Sequence, residues 1–321
     1  MEFDIIIANP PYQDTTKSIY PDFIKISSNI KPQYLVMITR NNWLTSDTMR
    51  DIRNSLIEAG LTEIINYSIP EEIFTGIRVG VSIFSVRNGY KDITKITEIQ
   101  KGIIINKYAA HLQSMPVILM SQIDYDIAQK VLSSQEESFK KEVYPQEAFR
   151  ITSAMGSGRG DNSYILNFQS EKTKEFNIGV LCQNNGINYF NYIKEEDIPA
   201  RADLADKYKI VVGATLNDNS NPITNIIQLE PGTVCSGTFS PIYVSSDKVK
   251  IYGAHTYIKT KFFRFLVKIL CTSGINRVSG ARFELVPIQD FTHTWTDQDL
   301  YIKYKFTQQE IDHIESAIKA I

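Results

Sequence analysis

The sequence predicts an α/β protein, with a partial sheet of mostly parallel strands followed by a mixed α+β second domain. Three observations predict this. The chain opens on an Ile-rich run, Phe3-Asp4-Ile5-Ile6-Ile7-Ala8, of the kind found in strands buried on both faces of a parallel sheet. Up to about residue 90, such runs alternate with stretches of helical spacing. Beyond residue 150 this rhythm gives way to short alternating runs separated by Asn and Gly. The expected domains are residues 1–100 and 101–321, and 321 residues are enough for two cores.

Taken in order, the first strand must stop at Asn9, because Pro10 and Pro11 remove two backbone donors and turn the preceding residue away from helix. A helix is expected over 19–30, with Ile19, Phe23, Ile26 and Ile30 as its apolar face and Lys31-Pro32 closing it. The run 34–39 is the next buried strand, and Arg40 to Leu44 forms a loop on the same rim as Asn9. Ser46-Asp47 offers a cap for a helix over 48–59 that Gly60 ends. Residues 61–68 and 79–86 read as strands joined by a loop that carries Phe74, and Asn88-Gly89 signals a turn. Residues 91–106 are strand-like and 125–135 helical. The stretch 151–245 reads as irregular and mostly β, with runs at Ile178, Lys209 and Thr233. A helix is expected over 254–270, and a last one over 307–320 opens on the capping-box pattern Thr307-x-x-Glu310.

Composition bounds the function. Hydrophobic residues make up 43% and charged residues 22%, and no run approaches the ~20 apolar residues of a membrane span. The N-terminus has no basic region leading into an apolar one. Cys182, Cys235 and Cys271 lie far apart and the four histidines are scattered, so neither a metal nor a disulfide framework is implied, which fits a reducing cytoplasm. Net charge is −2 with a pI near 6.1. Between Lys248 and Arg282, however, stand eight basic residues and no acid, while acids collect at 195–206 and after Pro287. That stretch can meet a phosphate backbone or form a solvated helix face. There are no internal repeats or low-complexity segments.

Asn9-Pro10-Pro11-Tyr12 carries the chemistry. At the carboxyl end of a parallel strand, where open α/β sheets place ligands, it holds an amide, two constrained carbonyls and an aromatic ring. A planar amino-substituted base can lie against Tyr12 while its NH2 donates to the Asn9 side-chain oxygen and the Pro10 carbonyl. Using both amino hydrogens takes the nitrogen lone pair out of conjugation and aims it at an electrophile. The plainer alternative is a Pro-Pro strand terminator with a packing Tyr.

The whole stretch resembles motif IV of the adenine-N6 DNA methyltransferases, whose pattern is D/N/S-P-P-Y/F/W. The segment Met37-Ile38-Thr39-Arg40-Asn41-Asn42-Trp43 is similar to the motif VI region of methylases paired with or fused to restriction endonucleases. Three further phrases resemble the tail of restriction-modification methylases: Lys259 to Leu266, Val286 to Phe291, and Trp295 onward to Tyr304. The resemblance covers roughly residues 1–90 and 205–321.

It implies a Rossmann-like methyltransferase sheet, strands four to seven, followed by a target-recognition domain. It further implies a flipped adenine methylated from S-adenosylmethionine. Asn9 and Pro10 orient the amine, Pro11 stiffens the turn, and Tyr12 stacks the base. Phe74 falls where the gamma class closes an aromatic on the base's other face; its alternative is a core plug. Stacking is worth about 1–3 kcal/mol per base, comparable to the unstacking it offsets. Double-stranded DNA is expected to meet Arg40, Asn42, Arg159, Lys259, Lys261, Arg264, Arg277 and Arg282.

The family's cofactor half precedes its Asn-Pro-Pro-Tyr, whereas here Phe3 is two residues from Met1. Met155-Gly156-Ser157-Gly158-Arg159-Gly160 lacks the lead-in strand and acid of a cofactor loop. Only Asn9 is therefore assigned to the cofactor, and its pocket is expected to be incomplete. The strand at 3–8 then becomes a long apolar edge, which invites a second polypeptide or self-association. Solvent-exposed Ile5 and Ile7 in a monomer would overturn that expectation. Two functions follow: a methyltransferase needing a cofactor-binding partner chain, or a non-catalytic DNA-recognition or partner-binding subunit.

Overall fold

A computed structural model describes residues 3–14, 17–68, 79–113, 115–152, 167–271 and 276–321. The chain divides into two units, Met1–Gln129 and Lys130–Ile321. The division falls later than residue 100, because the chain around Lys101-Gly102 turns tightly, with both φ angles positive, between two strands of one hairpin.

The first unit runs β1 (Ile5–Ala8), a two-stranded hairpin of β2 (Gln13–Asp14) and β3 (Lys17–Ser18), then α1 (Tyr20–Asn29) and β4 (Tyr34–Arg40). It continues through α2 (Arg50–Ala59), β5 (Leu61–Tyr67), β6 (Val81–Arg87), β7 (Thr94–Gln100) and β8 (Ile103–Ala110), to α3 (Gln122–Leu132), within which the division falls. Six strands form one sheet in the order β1-β4-β6-β5-β7-β8. It is mixed rather than mostly parallel: β1 with β4 and β5 with β7 run parallel, and the other pairs are antiparallel.

Alternation along the strands gives the sheet two unequal faces. Leu35, Met37, Ile64, Phe84 and Ile96 are buried in one cluster with Tyr20, Ile24 and Leu56 from α1 and α2. Their opposite-facing neighbours Val36, Ile38, Ile65 and Ile83 are only half-buried. The first strand is not buried on both faces, as its sequence suggested. It is an edge, with Ile5 57% and Ile7 78% exposed, so no described part of the chain covers it.

The apolar face of α1 also differs from expectation. Tyr20, Ile24 and Ser27 are buried, while Phe23, Ile26 and Ile30 face outward. An edge and a helix face, both apolar and both bare, are what a protein partner would cover. The expected result in solution is association through β1. Sedimentation of the wild type as a monomer at micromolar concentration would overturn it, whereas Ile5→Lys with Ile7→Lys should dissolve the assembly.

Helix α2 begins later than its sequence suggested. Asp47–Met49 forms a 3-10 turn, no side chain caps Arg50, and Asp47 instead pairs with Arg50 at 2.9 Å. Gly60 ends α2 as expected, with φ 115°.

The second unit contains β9 (Ile178–Asn184), β10 (Ile187–Ile193), β11 (Tyr208–Gly213), β12 (Thr215–Leu216), β13 (Ile227–Leu229), β14 (Thr233–Cys235) and β15 (Phe239–Ser245). These are followed by α4 (Lys248–Lys259), α5 (Lys261–Lys268), β16 (Asn276–Arg277), α6 (Asp297–Lys303) and α7 (Gln308–Ala317). The strands form two three-stranded sheets, β10-β9-β14 and β13-β11-β15, and the pair β12-β16. The helix expected over 254–270 is two helices broken at Thr260, whose hydroxyl donates to the Tyr257 carbonyl and accepts from the Phe263 amide. The capping box expected at Thr307 and Glu310 forms at the start of α7.

The resembling C-terminal phrases do packing work. Phe262 stacks on Tyr304 at 5.0 Å, the Tyr257 hydroxyl donates to the Pro287 carbonyl at 2.7 Å, and the Asp297 carboxylate accepts from the Lys261 and Phe262 amides.

Lys209 on β11 is fully buried, its ammonium donating to the carbonyls of Leu204, Ala205 and Lys207. Burial lowers its pKa from 10.5 to about 8. The unfolded chain therefore binds this proton more tightly, and stability rises with pH between about 8 and 10.5. Against Lys209→Met, the wild type should gain on the order of 3 kcal/mol across that window. Urea melts at pH 7.5 and 10 check it; parallel pH dependence of the two proteins would refute the assignment.

Candidate active site

The site is built on the rim where β1 and β4 end side by side. Ala8 pairs with Met37 in parallel register, so the turn at Asn9 stands beside the last residues of β4 and the loop that follows. Asn9 and Pro11 are exposed, Pro10 is buried, and Tyr12 is half-buried against the core cluster. Burial raises the Tyr12 phenol above its ordinary pKa. The chain then folds back through the β2–β3 hairpin. The Ile19 amide donates to the Tyr12 carbonyl at 3.2 Å and the Ser18 hydroxyl to the same oxygen at 3.4 Å. The turn is thus anchored from behind, leaving the Asn9 amide facing out.

Beside it, Asn41–Leu44 forms a 3-10 turn held by contacts from distant parts of the first unit. The Asn41 side-chain amide donates to Asn66 at 2.9 Å, and its backbone amide donates to the Gly80 carbonyl at 3.0 Å. Trp43 is fully buried, its indole N–H donating to the Ser82 hydroxyl at 2.9 Å and its ring meeting Phe84 edge-on at 5.3 Å. The buried Arg53 guanidinium from α2 donates to the carbonyls of Trp43, Ser46 and Pro116. A rim so tied can hold ligand-facing groups in fixed positions.

Asn42, at the front of this turn, accepts a hydrogen bond on its side-chain oxygen from the buried Tyr20 hydroxyl. Burial pushes the Tyr20 phenol up to about 12, against the opposing pull of the Arg40 charge and the Asn42 bond. Tyr20 therefore stays protonated at physiological pH. The bond fixes the Asn42 amide so that its NH2 is the half left to face a ligand.

Of the residues expected to meet DNA or the base, Asn9, Tyr12, Arg40 and Asn42 share this rim. Phe74, Arg159 and the loop Met155–Gly160 lie outside the described residues. In the second unit Lys259 and Arg277 are exposed, Arg277 donating to Gln146 at 3.2 Å. The remaining three are committed elsewhere. Arg264 is 1% exposed and donates to the Lys259 and Thr260 carbonyls, Lys261 pairs with Glu315 at 2.6 Å, and Arg282 donates to the Leu270 carbonyl. The basic run 248–282 is therefore not one phosphate-facing surface, because the fold turns several of its charges onto backbone carbonyls and an acid.

Sequence reasoning missed Tyr20, Asn66, Gly80 and Arg53. Only Tyr20 left a signal, as a Tyr at the start of the helix after the motif; Asn66 and Gly80 meet the site through strand register, and Arg53 reaches it from α2. A cavity of about 500 Å³ opens at the opposite end of β4, near Leu35 and Val86, away from these groups. Among the described residues no group of His, Cys, Asp and Glu could hold a metal, and no helix is long and apolar enough to cross a membrane.

Residues 1–74 match the family model described as Eco57I restriction-modification methylase. An "Uncharacterized adenine-specific methylase" of Mycoplasma pneumoniae is 27% identical over 175 residues, covering 47% of this chain and 41% of that protein. The chain thus spans less than half the length of this curated relative. Among solved structures, the Type IIL restriction-modification enzyme MmeI bound to DNA covers 79% of this chain and 43% of its own, at 11% identity and TM-score 0.38. The type IIG endonuclease BpuSI covers 95% and 49%, at 10% identity and TM-score 0.31. Both scores are low, and the functional reading rests on the sequence matches. Those matches are to restriction-modification and adenine-specific methylases.

Proposed function

We propose that this chain carries the catalytic rim and DNA-recognition part of a site-specific adenine-N6 DNA methyltransferase of the gamma type. The observation that supports it is Asn9-Pro10-Pro11-Tyr12 at the end of β1, within the segment that matches the methylase family. The target amine donates to the Asn9 side-chain oxygen and the Pro10 carbonyl, Tyr12 stacks the extruded base, and the Asn42 NH2 offers a donor at the base edge or a flanking phosphate. S-adenosylmethionine would supply the methyl group, and Asn9 is the one residue of this rim assigned to face it. The exposed Asn9 amide fits that contact; no further cofactor residue is assigned. An in-line attack by the amine lone pair needs no general base to precede it.

The bare β1 edge and the outward face of α1 favour a second polypeptide as part of the working enzyme. The runner-up, a DNA-recognition subunit without turnover, is favoured by that same edge. Transfer of tritium from labelled S-adenosylmethionine to plasmid DNA separates them. Incorporation as N6-methyladenine, by the chain or by the complex isolated with it, supports the enzyme. DNA binding with no incorporation in either form leaves the recognition subunit.

A further inference from the structure

We propose that the β9–β10 hairpin is a base-reading ribbon, entering the major groove of duplex DNA with Gln183, Asn184 and Asn188 at the base edges. It rests on the DNA reading above and gives that reading a specific part of the second unit.

The geometry is that of a stiff projection. The two strands pair antiparallel without a bulge from Ile193↔Ile178 to Ile187↔Asn184. They are joined by Asn185-Gly186, with φ of 47° and 80°, the pattern of the tight turn that matches strand twist. Core burial ends at Cys182, whereas all seven residues from Asn184 to Phe190 are exposed, Ile187 by 71%. Three residues beyond Cys182 at ~3.4 Å each carry the tip about 10 Å clear of the core. A major groove is about 8.5 Å deep and admits a two-stranded ribbon.

The chemistry selects the partner. From Asn177 to Ile193 there is no charged residue, yet the stretch holds six amides: Asn177, Gln183, Asn184, Asn185, Asn188 and Asn191. Exposed edge strands ordinarily carry charges that prevent pairing, and β10 carries none. A tip without carboxylates meets no repulsion from phosphates, and amides donate and accept together, which is what reading an adenine edge requires. Gln183 donates to the Asn188 side-chain oxygen across the strands at 2.9 Å. That bond leaves the Gln183 carbonyl and the Asn188 amino group as an ordered acceptor and donor. Phe190, two residues on from Asn188 and on the same face, is 38% exposed and supplies apolar contact for a thymine methyl, while Asn184 and Ile187 pair on the other face. At the root, Gln169 exchanges backbone bonds with Tyr192, and the exposed segment that follows it alternates Glu171, Lys172, Lys174 and Glu175.

The test is selection of bound duplexes from a randomised library by the full chain and by Asn184→Ala with Asn188→Ala, followed by sequencing. Both substitutions are on exposed positions, and a melting curve confirms that the variant is folded. The expected result is a wild-type consensus in which the variant loses at least one position by about tenfold in preference. Its affinity for random DNA should stay within about threefold, because phosphate contacts carry that term. An unchanged consensus overturns the hairpin assignment alone. A wild type that binds DNA without any consensus overturns it too, and a wild type that binds no DNA removes the DNA reading with it. Loss of self-association rather than preference in the variant would make the hairpin a protein contact and end the proposal.

Discussion

Asn9→Ala is expected to lower methyl transfer by about 10²–10³-fold, the cost of removing one preorganised hydrogen-bonding group at a reacting centre. The loss should fall on turnover. The Asn9 side-chain oxygen holds an amino hydrogen most strongly as the nitrogen rehybridises, so the contact strengthens toward the transition state. Asn9 is exposed, so the melting temperature should be nearly unchanged and DNA affinity should stay within about threefold. Asn9→Asp retains the acceptor and should recover most of the rate. The measurement is single-turnover methylation in whichever assembly carries the activity. Equal losses in binding and rate for Asn9→Ala would show that the residue shapes the loop and does not act on the amine.

The second large effect is on stability. Trp43→Ala removes the largest fully buried side chain of the first unit, and the cavity should cost about 3–5 kcal/mol. The indole N–H bond to Ser82 is a smaller part, and Trp43→Phe separates the two by keeping most of the volume while breaking the bond. Urea denaturation reads both. Because Trp43 adjoins Asn42 in one 3-10 turn, the alanine variant should also release Asn42 from Tyr20. A loss under 1 kcal/mol would mean that the Asn41 and Arg53 bonds hold the turn without the indole.

What the sequence made legible was local chemistry. The strand end at Asn9, the Gly60 stop and the Thr307 capping box each depend on residues within a turn of one another. The face of α1 was misread because two stripes fit helical spacing. Ile19, Phe23, Ile26 and Ile30 are more apolar than Tyr20, Ile24 and Ser27, yet the sheet lies under the latter. Hydrophobicity ranks the stripes by what could be buried, and in this unit the richer one faces outward. The basic run was misread for a related reason. A count of charges does not see Glu315 arriving from α7, or the carbonyls that take Arg264 and Arg282. Asn66 and Gly80 were invisible because strand register, not proximity in sequence, brings them to Asn41.

The approach of Gly80 to Asn41 ties the two positions into one heritable unit. A Cβ at residue 80 would fall within the Asn41 side-chain amide, while the Gly80 carbonyl receives the Asn41 backbone amide. Position 80 cannot grow while Asn41 keeps its side chain where it stands. A lineage that enlarges position 80 must first shrink position 41 and give up the bond to Asn66, so the order in which such changes accumulate is constrained. In the laboratory the same constraint is epistasis: Gly80→Ala should be damaging in the native background and close to silent once Asn41 is already glycine.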